Sequence, residues 1–192
     1  MSRYKLAYID TSFIVETIAH TGKEELLTKD NRPYVGIYDS VNNWYIPLRS
    51  NIGFKKPIGS YYRTPFRTNN PHFVNPGLDF QKSLFVPRDS VIEIRNTLPR
   101  EQAQFIETHL DDIQQKFESY VLSVDRLDHN SPSYLFSTIA LFPEGVEHLK
   151  QVIAARKVKR SCSLSDDLQA ATQAANRQQT STKQQALHRR KL

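Results

Sequence analysis

The sequence is poor in the residues and runs that several common classes of protein need. It holds one cysteine, Cys162, among 192 residues, so no disulfide forms within the chain and no cysteine cluster has the spacing of a zinc site. No apolar run approaches the roughly 20 residues that a helix needs to cross a bilayer. The opening stretch MSRYKLAYIDTSF is too polar for a secretory signal. We therefore expect a cytoplasmic protein.

Motifs for nucleotide and metal chemistry are also absent. The sequence has no glycine-rich phosphate loop, no Cys-x-x-Cys pair and no helix with His at i and i+4, so nucleotide hydrolysis and zinc chemistry have no support. A two-metal nuclease needs clustered carboxylates. The carboxylates of the basic half of the chain are spread widely: Asp39, Asp79, Asp89 and Glu93. We expect no metal ion and no other cofactor.

Charge is segregated along the chain. Residues 31–100 contain ten Lys or Arg and four Asp or Glu, whereas residues 101–150 contain three and nine. Residues 151–192 are basic again, with nine Lys or Arg and two Asp or Glu. A basic region that is separate from an acidic one favours a polyanionic partner, with nucleic acid as the leading class. A basic balance also occurs in proteins that bind no polyanion.

The stretch 31–56 is the part around which the chain is organised. Apolar and polar residues alternate over 32–39 and 44–48, which predicts two half-buried strands joined by a turn at 40–43. Pro47 is expected to end the second strand. A polar, cationic loop follows that begins with Arg49 and Ser50, and such a loop beside a rigid hairpin is where functional groups are often placed.

Residues 53–76 contain four prolines and two glycines and are predicted to form a long functional loop. Cations alternate there with aromatic rings: Phe54, Lys55, Lys56, Tyr61, Tyr62, Arg63, Phe66, Arg67 and Phe73. Cations that meet phosphates beside rings that stack on unpaired bases indicate single-stranded RNA or DNA as the ligand. The alternative is that the rings fold inward and pin the loop.

The remaining elements are predicted from periodicity and capping. A strand is expected over 3–9, and strands over 83–86 and 91–95. A short helix capped by Asp10, Thr11 or Ser12 should run to about residue 19, although its apolar residues would equally suit a strand. Apolar residues spaced by three and four predict one long architectural helix from 97 or 98 to 127. Its stripe comprises Ala103, Ile106, Leu110, Ile113, Phe117, Tyr120, Val124 and Leu127. Another helix should run from 143 to about 157. We expect a domain over 1–158 and a basic, low-complexity tail over 159–192.

RNA can be cut without a metal ion. Its own 2′-hydroxyl attacks the neighbouring phosphorus, if a protein activates that hydroxyl, stabilises the charge of the phosphorane and protonates the leaving oxygen. Arg, Lys, Ser, Thr, Tyr and His suffice for this chemistry, and DNA, which lacks the hydroxyl, would be spared.

Three motifs in order resemble the ToxN/AbiQ/TenpN toxins of type III toxin–antitoxin systems. They are RPYVGI at 32–37, WYIPLRS at 44–50 and GLDFQKSLFVP at 77–87, followed by the helix near Pro99. The resemblance covers roughly residues 1–130. The forms IPLRS and GLDF-x-K are most similar to the TenpN branch.

This resemblance implies an α+β fold, with a compact, strongly bent antiparallel β-sheet or barrel, flanking helices and a relationship to the MazF/Kid fold. It implies a metal-independent endoribonuclease that cuts single-stranded mRNA and leaves a 2′,3′-cyclic phosphate. A small repeated RNA antitoxin, which the toxin helps to process, would inhibit it in a protein–RNA assembly. The biological role would be phage defence by abortive infection, or plasmid maintenance.

The resemblance also assigns site residues by position. Ser50 matches the serine that follows the second strand and is required for cutting, Arg49 is its neighbour, and Arg32 matches a basic residue before the first strand. Ser50 would bind the scissile phosphate or orient the 2′-hydroxyl, while Arg49, Arg32 or Lys55 would stabilise the phosphorane charge. As an alternative, Ser50 caps a turn after Leu48.

Two positions depart from the family pattern. Ile52 and Gly53 stand where some members have a lysine, and Arg100 stands where some have a tyrosine. The remaining RNA-binding candidates are Lys56, Tyr61, Tyr62, Arg63, Arg67 and Lys82. His72 and His109 are further candidates as proton carriers.

Two other hypotheses fit the sequence. A non-catalytic protein could use the same basic, aromatic loop to bind single-stranded RNA without cutting it. A DNA-binding regulator would rely on the basic tail instead.

Overall fold

The computed structural model describes residues 4–23, 26, 32–37, 43–53, 56–65, 75–94 and 98–159. The chain divides into two compact units, 1–150 and 151–192. Of the second unit, residues 151–159 are described, and they are helical. The predicted basic tail lies outside the described residues from 160 onward, so the boundary at 158 stays a prediction.

Within the described residues, seven strands form one antiparallel β-sheet, which together with the helices confirms the predicted α+β class. The strands are β1 Tyr4–Ile9, β2 Tyr34–Ile37, β3 Trp44–Arg49, β4 Tyr61–Arg63, β5 Gly77–Asp79, β6 Leu84–Phe85 and β7 Val91–Glu93. Their order across the sheet is β4-β5-β3-β2-β1-β7, and β6 also pairs with β3. The predicted strands over 3–9, 83–86 and 91–95 are confirmed as β1, β6 and β7.

The helices of the first unit are α1 Thr11–Thr21, α2 Arg100–Thr108, α3 Leu110–Val124, α4 Pro132–Leu135 and α5, residues 143–150. The predicted helix α1 is confirmed, and of its three candidate caps the cap is Asp10, whose Oδ1 accepts a hydrogen bond from the Ser12 amide at 2.9 Å. None of the described helices is long and apolar enough to cross a membrane.

The prediction of one continuous helix from 97 or 98 to 127 is wrong. The chain leaves helical geometry at His109, where φ is −104° and ψ is 13°, and the break separates α2 from α3. The apolar stripe continues through the break, since Ile106, Leu110 and Ile113 are all buried. Periodicity therefore located the buried face correctly but does not detect a local change of backbone angle.

The core lies between β3 and α3. Trp44 of β3 is 1% exposed, and its ring lies 5.7 Å from Phe117 of α3, edge-on, and 5.4 Å from Phe85. The indole Nε1 donates a hydrogen bond to the Gly145 carbonyl at 3.3 Å. Aromatic packing of this kind fixes the sheet against the helix and gives the end of β3 a rigid base.

The predicted turn at 40–43 lies outside the described residues except for Asn43. The strand pairing of the predicted hairpin is confirmed, with Tyr34 of β2 opposite Pro47 of β3 and Gly36 opposite Tyr45. The hairpin is not half-buried as expected, because every residue of β2 and all but the last of β3 are buried. Pro47 does not end the strand. Because Pro47 has no N–H to donate, the ladder continues through the Leu48 amide, which donates to the Pro33 carbonyl at 2.9 Å.

The predicted loop over 53–76 contains a strand, β4. Tyr61–Arg63 pairs with β5, whose three residues were not predicted as a strand either. Neither segment is long enough to show a clear period of two, and each is ordered by the other. Gly77 allows the close approach, since a Cβ there would collide with the Tyr62 carbonyl and with Ile52. The two tyrosines and Arg63 are therefore held on a sheet rather than on an irregular loop.

Candidate active site

The end of β3 brings cations to a buried carboxylate. Leu48 pairs with Leu78 and Arg49 with Gly77, so this register places Asp79 of β5 beside Arg49. Arg49 Nη1 donates to Asp79 Oδ2 at 2.8 Å, and Lys56 Nζ donates to Asp79 Oδ1. One carboxylate thus holds two cations that the sequence analysis had assigned to RNA.

Asp79 is inaccessible to solvent, with a side-chain exposure of 0%, whereas Arg49 is 28% and Lys56 14% exposed. The two cations therefore cover the carboxylate and present part of their own surface outward. A buried charge of this kind is tolerated because it is paired and hydrogen-bonded. Arg49, Lys56 and Arg32, grouped around Asp79, are called the cation cluster below.

Arg32 completes the cation cluster from the start of β2. Burial lowers the pKa of Arg32, and its charge interacts with Tyr34, Arg49 and Asp79. Its Nε and the Tyr34 hydroxyl are buried, and neither has a hydrogen-bond partner in the described part of the chain. Among the described residues, two cations thus pair with the Asp79 carboxylate and a third, Arg32, interacts with it electrostatically, which leaves an excess of positive charge suited to a phosphate.

Burial raises the pKa of Tyr34 to about 12, so the Tyr34 side chain stays a neutral phenol at physiological pH. For Lys56, burial lowers the pKa, and the neighbouring Asp79 carboxylate opposes that effect. Lys56 is therefore a cation that loses its charge at a lower pH than an ordinary lysine does.

Ser50 follows β3 directly and is partly exposed. Its hydroxyl makes no hydrogen bond with any residue that the structure describes, so the alternative of a turn cap has no support there. The next residue, Asn51, bridges to Asn75, and the Asn75 side-chain nitrogen is buried without a partner among the described residues. Ser50 and Asn75 thus provide uncharged hydrogen-bonding groups just after β3, the strand that ends with Arg49 of the cation cluster.

Lys82 lies on the same side of the fold, in a single 3₁₀ turn that follows β5. Its charge is among those that lower the pKa of Lys56, and its Nζ donates to the Phe136 carbonyl at 3.0 Å. The structure therefore brings Lys82 near the cation cluster. The candidates Lys55, Arg67 and His72 lie outside the described residues.

Tyr62 is held by the helices rather than presented freely. Its hydroxyl donates to Asp112 Oδ2 of α3 at 2.6 Å, and Lys116 Nζ lies 4.8 Å from the centre of its ring. Burial, together with the Asp112 carboxylate, raises the pKa of Tyr62 to about 12. The alternative of an inward, structural ring thus describes Tyr62 well. Tyr61 instead packs against the Arg63 guanidinium, at 5.0 Å.

His109 marks the break between α2 and α3. Its ring stacks on Phe105 at 4.0 Å, and its Nδ1 lies 2.9 Å from the Phe105 carbonyl oxygen. These contacts give His109 a packing role. No three His, Cys, Asp or Glu side chains come close enough to hold a metal ion within the parts of the chain that the structure covers.

Asp79 is the site residue that the sequence analysis missed. It was counted only as one of four scattered carboxylates. The signal that could have found it is its neighbourhood, since Asp79 stands between two large apolar residues, Leu78 and Phe80, and a carboxylate that becomes buried needs cationic partners. Which cations it pairs with depends on the β3–β5 register, which local sequence does not reveal.

The comparisons with known proteins give fold-level matches. No protein-family model and no curated protein matches the chain. A solved structure from a bacterial type III toxin–antitoxin system, in which a non-coding RNA pseudoknot selectively inhibits the toxin, matches with a TM-score of 0.56 and 17% identity. The match covers 77% of this chain and 98% of the other.

A second solved structure is AbiQ, a lactococcal anti-phage endoribonuclease of a type III toxin–antitoxin system. It matches with a TM-score of 0.53 and 15% identity, over 82% of this chain and 98% of that one. At these identities the likeness shows a shared fold. The chain therefore has the α+β architecture of type III toxins.

Proposed function

We propose that this chain is an endoribonuclease toxin of a type III toxin–antitoxin system. The observation that carries the proposal is the cation cluster at the end of β3, where Arg49 and Lys56 pair with the buried Asp79 and Arg32 interacts electrostatically with the same carboxylate. Ser50 follows Arg49 in the chain. Such preorganised donors stabilise negative charge as it develops on a phosphorane. The fold shared with two proteins of type III systems, one of them an endoribonuclease, supports the same reading.

In this proposal the 2′-oxygen of a single-stranded RNA attacks the adjacent phosphorus and the 5′-oxygen leaves with a proton. The products are a 2′,3′-cyclic phosphate and a 5′-hydroxyl. Ser50 hydrogen-bonds the phosphate or orients the 2′-hydroxyl, and Arg49 with Arg32 stabilises the phosphorane charge. Lys55 serves the same role, and Lys56 is added to it because it pairs with Asp79 beside Arg49. No metal ion takes part.

The proposal includes a partner and a biological role. A small repeated RNA antitoxin binds the basic face and is cut by the toxin, and the cell uses the pair in phage defence or plasmid maintenance. The motif forms IPLRS and GLDF-x-K favour the TenpN branch. We infer a cytoplasmic site of action because the substrate is messenger RNA.

The proposal is tested by incubating the purified chain with single-stranded RNA in the presence of EDTA. We expect cutting to continue at its full rate and to give fragments that end in a 2′,3′-cyclic phosphate, identified by mass spectrometry. A DNA strand of the same sequence should stay intact. RNA binding with no cutting would instead support a non-catalytic RNA-binding protein, and cutting that requires Mg²⁺ would refute the metal-independent mechanism.

A second prediction concerns the pH dependence of cutting. Because burial lowers the pKa of Lys56, the cation needed at the phosphate is lost at a lower pH than for an ordinary lysine, and the rate should fall toward alkaline pH. Arginine stays charged throughout this range. Lys56→Arg should therefore move the alkaline fall in kcat/KM to higher pH.

The rates are measured over a pH series, with the spontaneous alkaline cleavage of RNA subtracted. The matched control is Lys150→Arg, because Lys150 pairs with Asp125 on another part of the first unit. If kcat/KM decreases at the same alkaline pH in Lys56→Arg and in the unmodified chain, the charge of Lys56 does not cause that decrease.

A further inference from the structure

A cavity of about 810 Å³ lies between β4 and α3. This volume is within the roughly 300–1,000 Å³ of sites that bind small organic groups. Tyr61 and Arg63 line it from β4, and Ser119 and Tyr120 from α3. From its apolar stripe alone, α3 is expected to be mainly architectural.

The walls of this cavity combine cations with aromatic rings. Arg63 lies over Tyr61 at 5.0 Å, and Lys116 lies over Tyr62 at 4.8 Å. No acidic side chain is among its described lining residues. Asp112 lies outside the lining and neutralises part of the Lys116 charge at 2.9 Å. The charge and the partly exposed Tyr61 ring together complement an anion that carries a flat ring.

Arg63 supplies a second sign of an incomplete site. Its Nη1 is buried and has no hydrogen-bond partner in the described part of the chain. A buried donor without a partner is costly, so a ligand oxygen or ring nitrogen that accepted this hydrogen bond would be favoured.

The cavity continues toward the cation cluster. A smaller cavity of about 450 Å³ shares Pro57, Gln81 and Ser133 with it. Lys56, a member of the cation cluster, lines the smaller cavity together with Lys82. A strand whose phosphate lay at the cation cluster could therefore place a neighbouring nucleotide in the larger cavity.

We propose that the larger cavity is a base pocket, which takes one unpaired base of single-stranded RNA next to the scissile phosphate and sets the sequence preference. The proposal rests on the proposed function. The Tyr61 ring provides the stacking face, and Arg63 Nη1 and the Gln81 amide read the edge of the base. The Ser119 hydroxyl donates to the Gln115 carbonyl at 2.8 Å, so its oxygen can still accept from an exocyclic amine.

The test fills the pocket from its exposed wall. Ser119 is exposed on α3, so Ser119→Trp should fold while its indole occupies the space for the base. Gln115→Trp is the matched control, since Gln115 is exposed on the same helix but does not line the cavity. The probes are short fluorescent 2′-O-methyl single strands of A, C, U or alternating G and U, which lack the attacking hydroxyl.

We expect the full chain to prefer one of these strands, and Ser119→Trp to weaken binding of that strand by roughly 5- to 100-fold in fluorescence anisotropy. The other strands should change far less, and Gln115→Trp should match the unmodified chain. If Ser119→Trp binds all four strands with the same affinities as Gln115→Trp, the proposal is overturned. The absence of any preference in the unmodified chain would also overturn it.

Tyr61→Leu removes the stacking face from the opposite wall and keeps the test decisive if Ser119→Trp does not fold. It should also weaken binding of the preferred strand, and unchanged binding would overturn the pocket. Cutting of unmodified RNA is scored separately. If Ser119→Trp removes a base preference but the chain cuts no RNA, the base pocket is supported and the endoribonuclease proposal is refuted. If the chain cuts RNA but prefers no base, the endoribonuclease proposal is supported and the base pocket is refuted.

Discussion

Ser50→Ala is expected to lower the rate of RNA cutting by roughly 100- to 1,000-fold, the loss that follows removal of one preorganised donor at a developing negative charge. Ser50 follows the strand that supplies Arg49, and its hydroxyl is not engaged by any described residue. The substitution therefore removes a group that would act on the RNA and takes no internal hydrogen bond from the described fold.

Stability should stay within about 0.5 kcal/mol of the unmodified chain, since Ser50 is partly exposed. Cutting is measured by single-turnover kinetics on a labelled RNA, and folding by circular dichroism and thermal melting. Ser90→Ala is the matched control: Ser90 is partly exposed and precedes β7, at the opposite edge of the sheet from β4. A folded Ser50→Ala protein that cuts at the original rate would show that Ser50 has no catalytic role.

The sequence predicted the parts of the fold that local chemistry determines. The Asp10 cap, the pairing of β2 with β3 and the buried stripe of α3 follow from side-chain type and spacing, and the structure confirms all three. Their signals arise within a few residues of the element itself. A resemblance in ordered motifs added the fold class, which the solved structures of type III toxins support.

The sequence did not predict what depends on contacts between distant segments. β4 and β5 are three residues each and are strands because they pair with each other, and β5 pairs with β3. The break at His109 likewise leaves the apolar stripe unchanged and is therefore invisible to periodicity. Both errors concern backbone geometry that only tertiary packing selects.

In the candidate site, too, some residues are predictable from the sequence and others depend on contacts between distant segments. The resemblance assigns Arg49, Ser50 and Arg32 by their positions in its motifs. The structure pairs Arg49 with a buried carboxylate whose charge also interacts with Arg32, and Ser50 follows Arg49 in the chain. That carboxylate, Asp79, reaches them through the β3–β5 register, 30 residues further along the chain. Its pairing with two cations changes their expected role, because a cation held in place costs less to reorganise when the phosphate becomes more negative.

The second large effect is therefore expected at Asp79. Asp79→Asn keeps the size of the side chain but removes the charge that holds Arg49 Nη1 and Lys56 Nζ. Removing one partner of a buried ion pair costs about 3–5 kcal/mol, and we expect the lower end because both cations are partly exposed and can turn toward water. The cost is measured as the change in the free energy of unfolding in urea.

Asp79→Asn should also separate RNA binding from RNA cutting. The cation cluster gains net positive charge, so the affinity for RNA should increase. This affinity should also decrease more steeply as the salt concentration is raised. Because Arg49 and Lys56 lose their anchor, the rate of cutting by the bound complex should fall roughly 10- to 100-fold. Asp125→Asn, at a partly exposed pair with Lys150, is the control and should change neither quantity. Weaker RNA binding by a folded Asp79→Asn protein would contradict the proposal that Asp79 acts only by holding the cations toward the phosphate.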